Sequence, residues 1–169
     1  KNTSIHELGP NRESGVPGSG YALAIRIGRL VSIAMSVLTL LVVHAIALQL
    51  APGNRPLALL SVIVLATIPQ FANTASTLSN DNGVILFATL SLCWSLRILR
   101  TTSPMRDAII GGVLCGVTVL NKTNGIWCVA VMGIAIWLGN RLPRRANWMR
   151  AAALQMLVMF VATASVTGW

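Results

Sequence analysis

The sequence predicts an all-α protein, a polytopic transmembrane helical bundle of about six membrane segments, and three observations predict it. The 169 residues are 54% hydrophobic and only 10% charged, with a mean hydropathy of +0.72, which lies outside the range of soluble globular domains. Residues 30–50 and 57–75 carry no Asp, Glu, Lys or Arg, and as helices they are long enough to cross a hydrocarbon core of about 30 Å. These runs are apolar on every face, whereas a spanning strand would alternate apolar and polar side chains.

Taken in order, residues 1–20 are rich in Gly, Pro, Ser and Asn and read as the tail of an extracytoplasmic loop. Residues 21–169 read as part of a transmembrane domain. The chain opens on Lys1 and closes on Trp169 at the end of an apolar run, so a fragment of a longer protein is expected; no signal-peptide pattern is visible. In "YALAIRIGRL", Arg26 and Arg29 stand three residues apart, on one side of a helix entering the membrane. The first span, 30–50, contains His44, for which a hydrogen bond to a neighbouring helix is expected. "APGNRP" is a tight turn in which Pro52 and Gly53 stop one helix and Pro56 begins the next.

The second span, 57–75, contains Pro69, and Gln70, Asn73 and Thr74 make its far end wet. A break there is tolerated only where freed backbone groups meet protein or water, so this end is expected to line a cavity. Ser79, Asn80, Asp81 and Asn82 are all suited to cap the third segment, 84–96. Asp107 sits near the start of the next helix, where the dipole favours a negative charge. Segments 108–120 and 126–138 offer only about thirteen apolar residues each against about twenty for a crossing, which predicts a short hairpin at 108–138. Gly112 and Gly116 have the small-xxx-small spacing of close helix packing, and Trp127 and Trp137 bracket the fifth segment as interfacial anchors. Residues 151–168 form the sixth.

A net charge of +9 would suggest nucleic acid in a soluble chain, but membrane insertion explains its distribution here, and no nucleic-acid partner is expected. Arg97, Arg100 and Arg106 follow the third segment, and Arg141, Arg144, Arg145 and Arg150 follow the fifth. The positive-inside rule makes both loops cytoplasmic, with Arg55, and puts the "SNDN" and "NKTNG" loops and residues 1–20 outside. Arg26 and Arg29 then lie on the minority side, where they would bind something anionic. Cys93, Cys115 and Cys128 have no metal-ligand spacing and read as core residues. There is no nucleotide-binding glycine loop and no Ser/His/Asp arrangement. The sequons at Asn2 and Asn121 are short matches to which no function is assigned.

Asp81 and Lys122 remain. Asp81 serves as a cap, or its charge has a partner such as a cation or a substrate hydroxyl, since an ionised carboxylate near lipid costs more than Ser or Asn. Lys122 snorkels to headgroups or clamps a phosphate. In the derived topology Asp81, Lys122, Arg26 and Arg29 all fall on the outer side, where a lipid-linked phosphate and a sugar or a metal could meet.

The serial order of Arg29-Leu30-Val31-Ser32, Pro69, Ser79-Asn80-Asp81 and Leu120-Asn121-Lys122-Thr123-Asn124-Gly125 resembles that of the GT-C membrane glycosyltransferases. These are polyprenyl-phosphate-sugar-dependent enzymes akin to protein mannosyltransferases and lipid A aminoarabinose transferases. The resemblance covers residues from about 25 to 140, and Asn121 stands where a threonine is commoner. It implies transfer of a sugar, with inversion, from a polyprenyl-phosphate carrier to a lipid, glycan or protein acceptor on the extracytoplasmic face of the bilayer. It also implies a carboxylate general base in the first outer loop. Glu7 and Glu13 match no such pattern, so the base is expected upstream of Lys1. Asp81 would coordinate a divalent cation or orient the sugar, while Lys122 and Arg29, with Arg26 beside it, would neutralise the leaving phosphate. The rival readings are a secondary transporter, with Asp81 and Lys122 as a coupling pair, and a non-catalytic membrane subunit.

Overall fold

The computed structural model describes residues 20–100, 104–141 and 147–168, and among these every regular element is helical. The loop tail with Glu7, Glu13 and the Asn2 sequon, and Arg144 and Arg145, lie outside the described residues. In chain order the elements are α1 Gly20–Leu50, α2 Arg55–Thr67, α3 Pro69–Ser76, α4 Asp81–Ile98, α5 Pro104–Asn121, a single 3₁₀ turn Thr123–Gly125, α6 Ile126–Arg141 and α7 Trp148–Thr167.

The turns follow from local chemistry. Between α1 and α2, Gly53 takes φ 85°, a left-handed conformation that glycine adopts without penalty, and the Asn54 side chain caps α2 by accepting the Leu57 N–H at 3.1 Å. The break foreseen at Pro69 is present: Ile68 is extended at φ −69°, ψ 117°, as a residue before proline prefers, and α2 and α3 meet at a 68° bend. The second span is therefore two helices, with Gln70 and Asn73 exposed on the short α3.

Successive long helices run antiparallel, which defines two ends. At one end Gly28 of α1 packs on Leu78, and Gly83 of α4 on Asn121 of α5. At the other end Gly139 of α6 packs on Ile98 of α4, and Arg55, Arg97, Arg100, Arg106, Arg141 and Arg150 all stand at or near helix ends on that side. The most extensive helix contact among the described residues is α5 on α7, made possible by the predicted glycines: a Cβ at Gly112 would lie 2.5 Å from the Met159 carbonyl, and one at Gly116 would lie 2.7 Å from Val166 Cβ. Thr163 Oγ1 donates to the Gly112 carbonyl at 3.0 Å in the same seam. Cys115, Met132, Ile136 and Met159 fill the core between α5, α6 and α7.

Polar side chains are common in the interior and large apolar ones on the outer faces, unlike a soluble domain. Ser91, Ser95, Asp107, Thr118, Asn140 and Gln155 are buried, while Leu30, Leu41, Ile63, Leu157 and Phe160 are exposed. This explains why α4 and α5 are less apolar than their neighbours: their inward faces carry Asn82, Ser91, Ser95, Asp107 and Thr118. Among the described residues three helices are long and apolar enough to cross a membrane, or four with α2 and α3 as one broken span, against the six segments expected.

The hairpin arms are also longer than the apolar runs suggested, 18 residues in α5 and 16 in α6. The polar ends of these helices are tied inside the bundle, at α6 through the Asn140 side chain and at α5 through the backbone carbonyl of Asp107. Asn140 Nδ2 donates to Gln155 Oε1 at 2.8 Å and Gln155 Nε2 to Asn140 Oδ1 at 3.3 Å, while Trp94 Nε1 donates to the Asp107 carbonyl at 3.1 Å.

Candidate functional site

The start of α4 is closed by its flanking residues rather than by its aspartate. The Asp81 N–H donates to Ser79 Oγ at 3.1 Å, and the buried Asn82 side chain donates to the Thr77 carbonyl at 3.1 Å. Asn80, at the cap position, makes no side-chain cap bond. The cap reading of Asp81 is thereby corrected: Ser79 and Asn82 hold the loop, and the Asp81 carboxylate is directed elsewhere.

Across from it, α5 ends at Asn121, whose Nδ2 donates to the Val117 carbonyl at 2.8 Å. Lys122 then turns extended, φ −163°, ψ 134°, and the 3₁₀ turn brings Gly125 so close to Thr118 that a Cβ would lie 2.7 Å from its carbonyl carbon. Only glycine fits there, and the tight corner leaves Lys122 projecting from it. Gly83, in the first turn of α4, leaves room for the Asn121 side chain, so the start of α4 and the end of α5 meet.

The result is an ion pair. Lys122 Nζ donates to Asp81 Oδ1 at 2.8 Å, with both side chains about half exposed, 50% and 49%. The hydrogen bond from Lys122, then one from the Ser79 hydroxyl, then the Lys122 charge hold the Asp81 carboxyl below the ordinary carboxylate range. Beside the pair, a cavity of about 280 Å³ opens between α1, the loop before α4 and the end of α5, lined by Ser32, Met35, Leu78, Ser79, Asn80 and Asn121 with Gly28 and Gly83. Ser79, Asn80 and Asn121 make its α4–α5 side polar, while α1 contributes Val31 and Met35 together with the hydroxyl of Ser32.

The two arginines are not gathered in the same way. Gly28, Val31, Ser32 and Met35 face the cavity from α1. At about 100° per residue, Arg29 lies about a quarter-turn off that face and Arg26 nearly opposite it. Both are exposed and they share one side of α1, as the spacing predicted, but it is not the cavity side. The structure thus joins Asp81 to Lys122 and leaves Arg26 and Arg29 apart from them.

The donor set bears on the expected divalent cation. Among the described residues no three His, Cys, Asp or Glu side chains gather, and Asp81 is a single carboxylate with an ammonium on one oxygen. These residues by themselves fit an ion pair and not a divalent cation, which takes several oxygen ligands. Sequence reasoning named Ser79 and Asn82 among the residues suited to close the start of α4 but overlooked the packing of Gly83 against Asn121. The available signal was Gly83 near a helix start, a position where glycine implies close approach. The Asn121 sequon is half-buried against Gly83, which accounts for that asparagine structurally.

The sequence pattern of the dolichyl-phosphate-mannose-protein mannosyltransferase family matches residues 23–169. No curated protein and no solved structure matches the chain. The match runs through all seven helices, so this multi-pass helical chain belongs to that family, the membrane glycosyltransferases of GT-C type.

Proposed function

We propose that the protein moves a sugar from a polyprenyl-phosphate carrier to a lipid, glycan or protein acceptor at the extracytoplasmic face, and that Lys122 binds the carrier phosphate. The observation that carries this is the Lys122–Asp81 pair at 2.8 Å, next to a cavity whose mouth mixes Ser79, Asn80 and Asn121 with apolar residues. A lipid-linked sugar phosphate needs that mixture.

Asp81 accepts a hydrogen bond from one of the three ammonium N–H groups of Lys122 and leaves the others for a phosphate, so it acts as a positioning residue. Transfer breaks the bond between the anomeric carbon and the phosphate oxygen as the acceptor oxygen bonds to that carbon. The acceptor proton passes to a base, and the phosphate departs with an added negative charge. An ammonium fixed at that oxygen stabilises the charge as it develops, an effect worth about 10²–10³ in rate for one preorganised donor. Arg29 and Arg26, exposed on α1 away from the cavity face, would attract the anionic carrier from further out. Any divalent cation would draw ligands from outside the described residues, and no step here uses one.

The test is sugar transfer by the full-length protein in membranes, from labelled polyprenyl-phosphate sugars, with wild type and Lys122→Gln at equal protein level. A fall of about a hundredfold in kcat supports the assignment. Equal transfer by the variant would remove Lys122 from the site, and no transfer by wild type with any such donor would sink the reading.

A further inference from the structure

An apolar groove of about 510 Å³ runs between α6 and α7, floored by Gly133 and walled by Ile126, Val129, Trp137, Met156 and Phe160. From Ile126 to Trp137 it extends about 16 Å at 1.5 Å per residue. Its floor is open: a Cβ at Gly133 would meet nothing within 4 Å. Glycine is a poor helix former, and here no packed neighbour requires it.

The groove ends in charge. Trp137, which lines it, carries the Arg141 guanidinium 5.0 Å from its ring centroid, and the Trp148 ring meets it edge-on at 6.2 Å. Arg97 sits likewise over Trp94 at 4.8 Å on α4, whose end packs against that of α6. After Asp107 the sequence holds no acidic residue, while Arg141, Arg144, Arg145 and Arg150 follow, so no carboxylate on α6, α7 or their connection offsets Arg141. This mouth lies at the end of the bundle opposite Lys122.

An apolar slot closed by an aromatic-held cation is complementary to an amphiphile with an anionic head. We propose that the α6–α7 groove binds one anionic phospholipid, its acyl chain along Gly133 and its phosphate at Arg141. A zwitterionic lipid would fill the slot equally but gain less from the cation, so preference is set at the mouth and occupancy along the floor.

The experiment is native mass spectrometry of the full-length protein released from detergent, titrated with phosphatidylglycerol, phosphatidylcholine of matched chains, or polyprenyl monophosphate. Wild type should retain phosphatidylglycerol about fivefold better than phosphatidylcholine, the effect of one cation near a lipid head. Arg141→Gln should erase that ratio. Gly133→Leu, which fills open space, should lower occupancy by both phospholipids, and Gly133→Ala, too small to fill the groove, should not. Equal retention of the two phospholipids by wild type, a ratio that survives Arg141→Gln, or displacement of phosphatidylglycerol by stoichiometric polyprenyl monophosphate would overturn the proposal. Should Gly133→Leu impair folding, the Arg141→Gln ratio decides alone.

Discussion

Asp81 and Lys122 come from residues 41 apart in sequence, and neither has a local reason to face the other. The pair exists because Gly83 admits Asn121 and Gly125 lets the corner close on Thr118. Two predictions belong here. Gly83→Val should push the start of α4 off the end of α5 and reduce transfer by about tenfold or more, since misplacement of a charged group by about an ångström costs up to about 10² in rate. The second concerns pH. Because the Asp81 carboxyl titrates below its ordinary value of 3.8, the pair's contribution is complete above that value and is lost only as pH falls through the lower, folded value. Transfer measured against pH should therefore show no Asp81 titration in the neutral and mildly acidic range, and Asp81→Asn should lower the rate without moving the profile.

At the level of helices, two internal seams make opposite demands. At Gly112 the neighbour is the Met159 backbone, which cannot yield, so Gly112→Val should destabilise by about 1–3 kcal/mol through overpacking, read as a lower melting temperature in detergent. Between α6 and α7 the buried Asn140–Gln155 amides satisfy each other. Asn140→Leu alone should cost about 1–3 kcal/mol by stranding the partner amide, and Asn140→Leu with Gln155→Leu should recover much of it. The sequence made part of this legible. Run lengths gave the helical class, Pro69 gave the break, and Gly112 and Gly116 gave the α5–α7 seam, because each signal is local. The lengths of α5 and α6 were not legible from the apolar runs, since α5 begins ahead of Asp107 and Asn140 looks like a helix end until its partner Gln155 across the bundle is known. Nor was the site complete: Lys122 and Asp81 stood out as rare charges in apolar surroundings, but their pairing depends on the corner, and the exclusion of Arg26 and Arg29 depends on which face of α1 meets α4.

For the whole molecule, the arrangement is a bundle with two chemically different ends, one holding the Asp81–Lys122 pair and the cavity, the other holding exposed arginines on Trp94 and Trp137. A cysteine at Asn124 should react with a membrane-impermeant maleimide added outside intact cells, and one at Arg100 only after permeabilisation; the reverse pattern would invert the topology. The central claim is that this corner binds the carrier phosphate through the Lys122 ammonium rather than merely tying α4 to α5. The most direct measurement is sugar transfer by the charge-swapped variant Asp81→Lys with Lys122→Asp, beside its melting temperature. Exchange keeps the ion pair that joins the helices but moves the ammonium off the corner. The melting temperature should stay close to that of wild type while transfer falls by about a hundredfold; transfer at the wild-type rate would show that the pair is only a structural tie and that Lys122 does not bind the carrier phosphate.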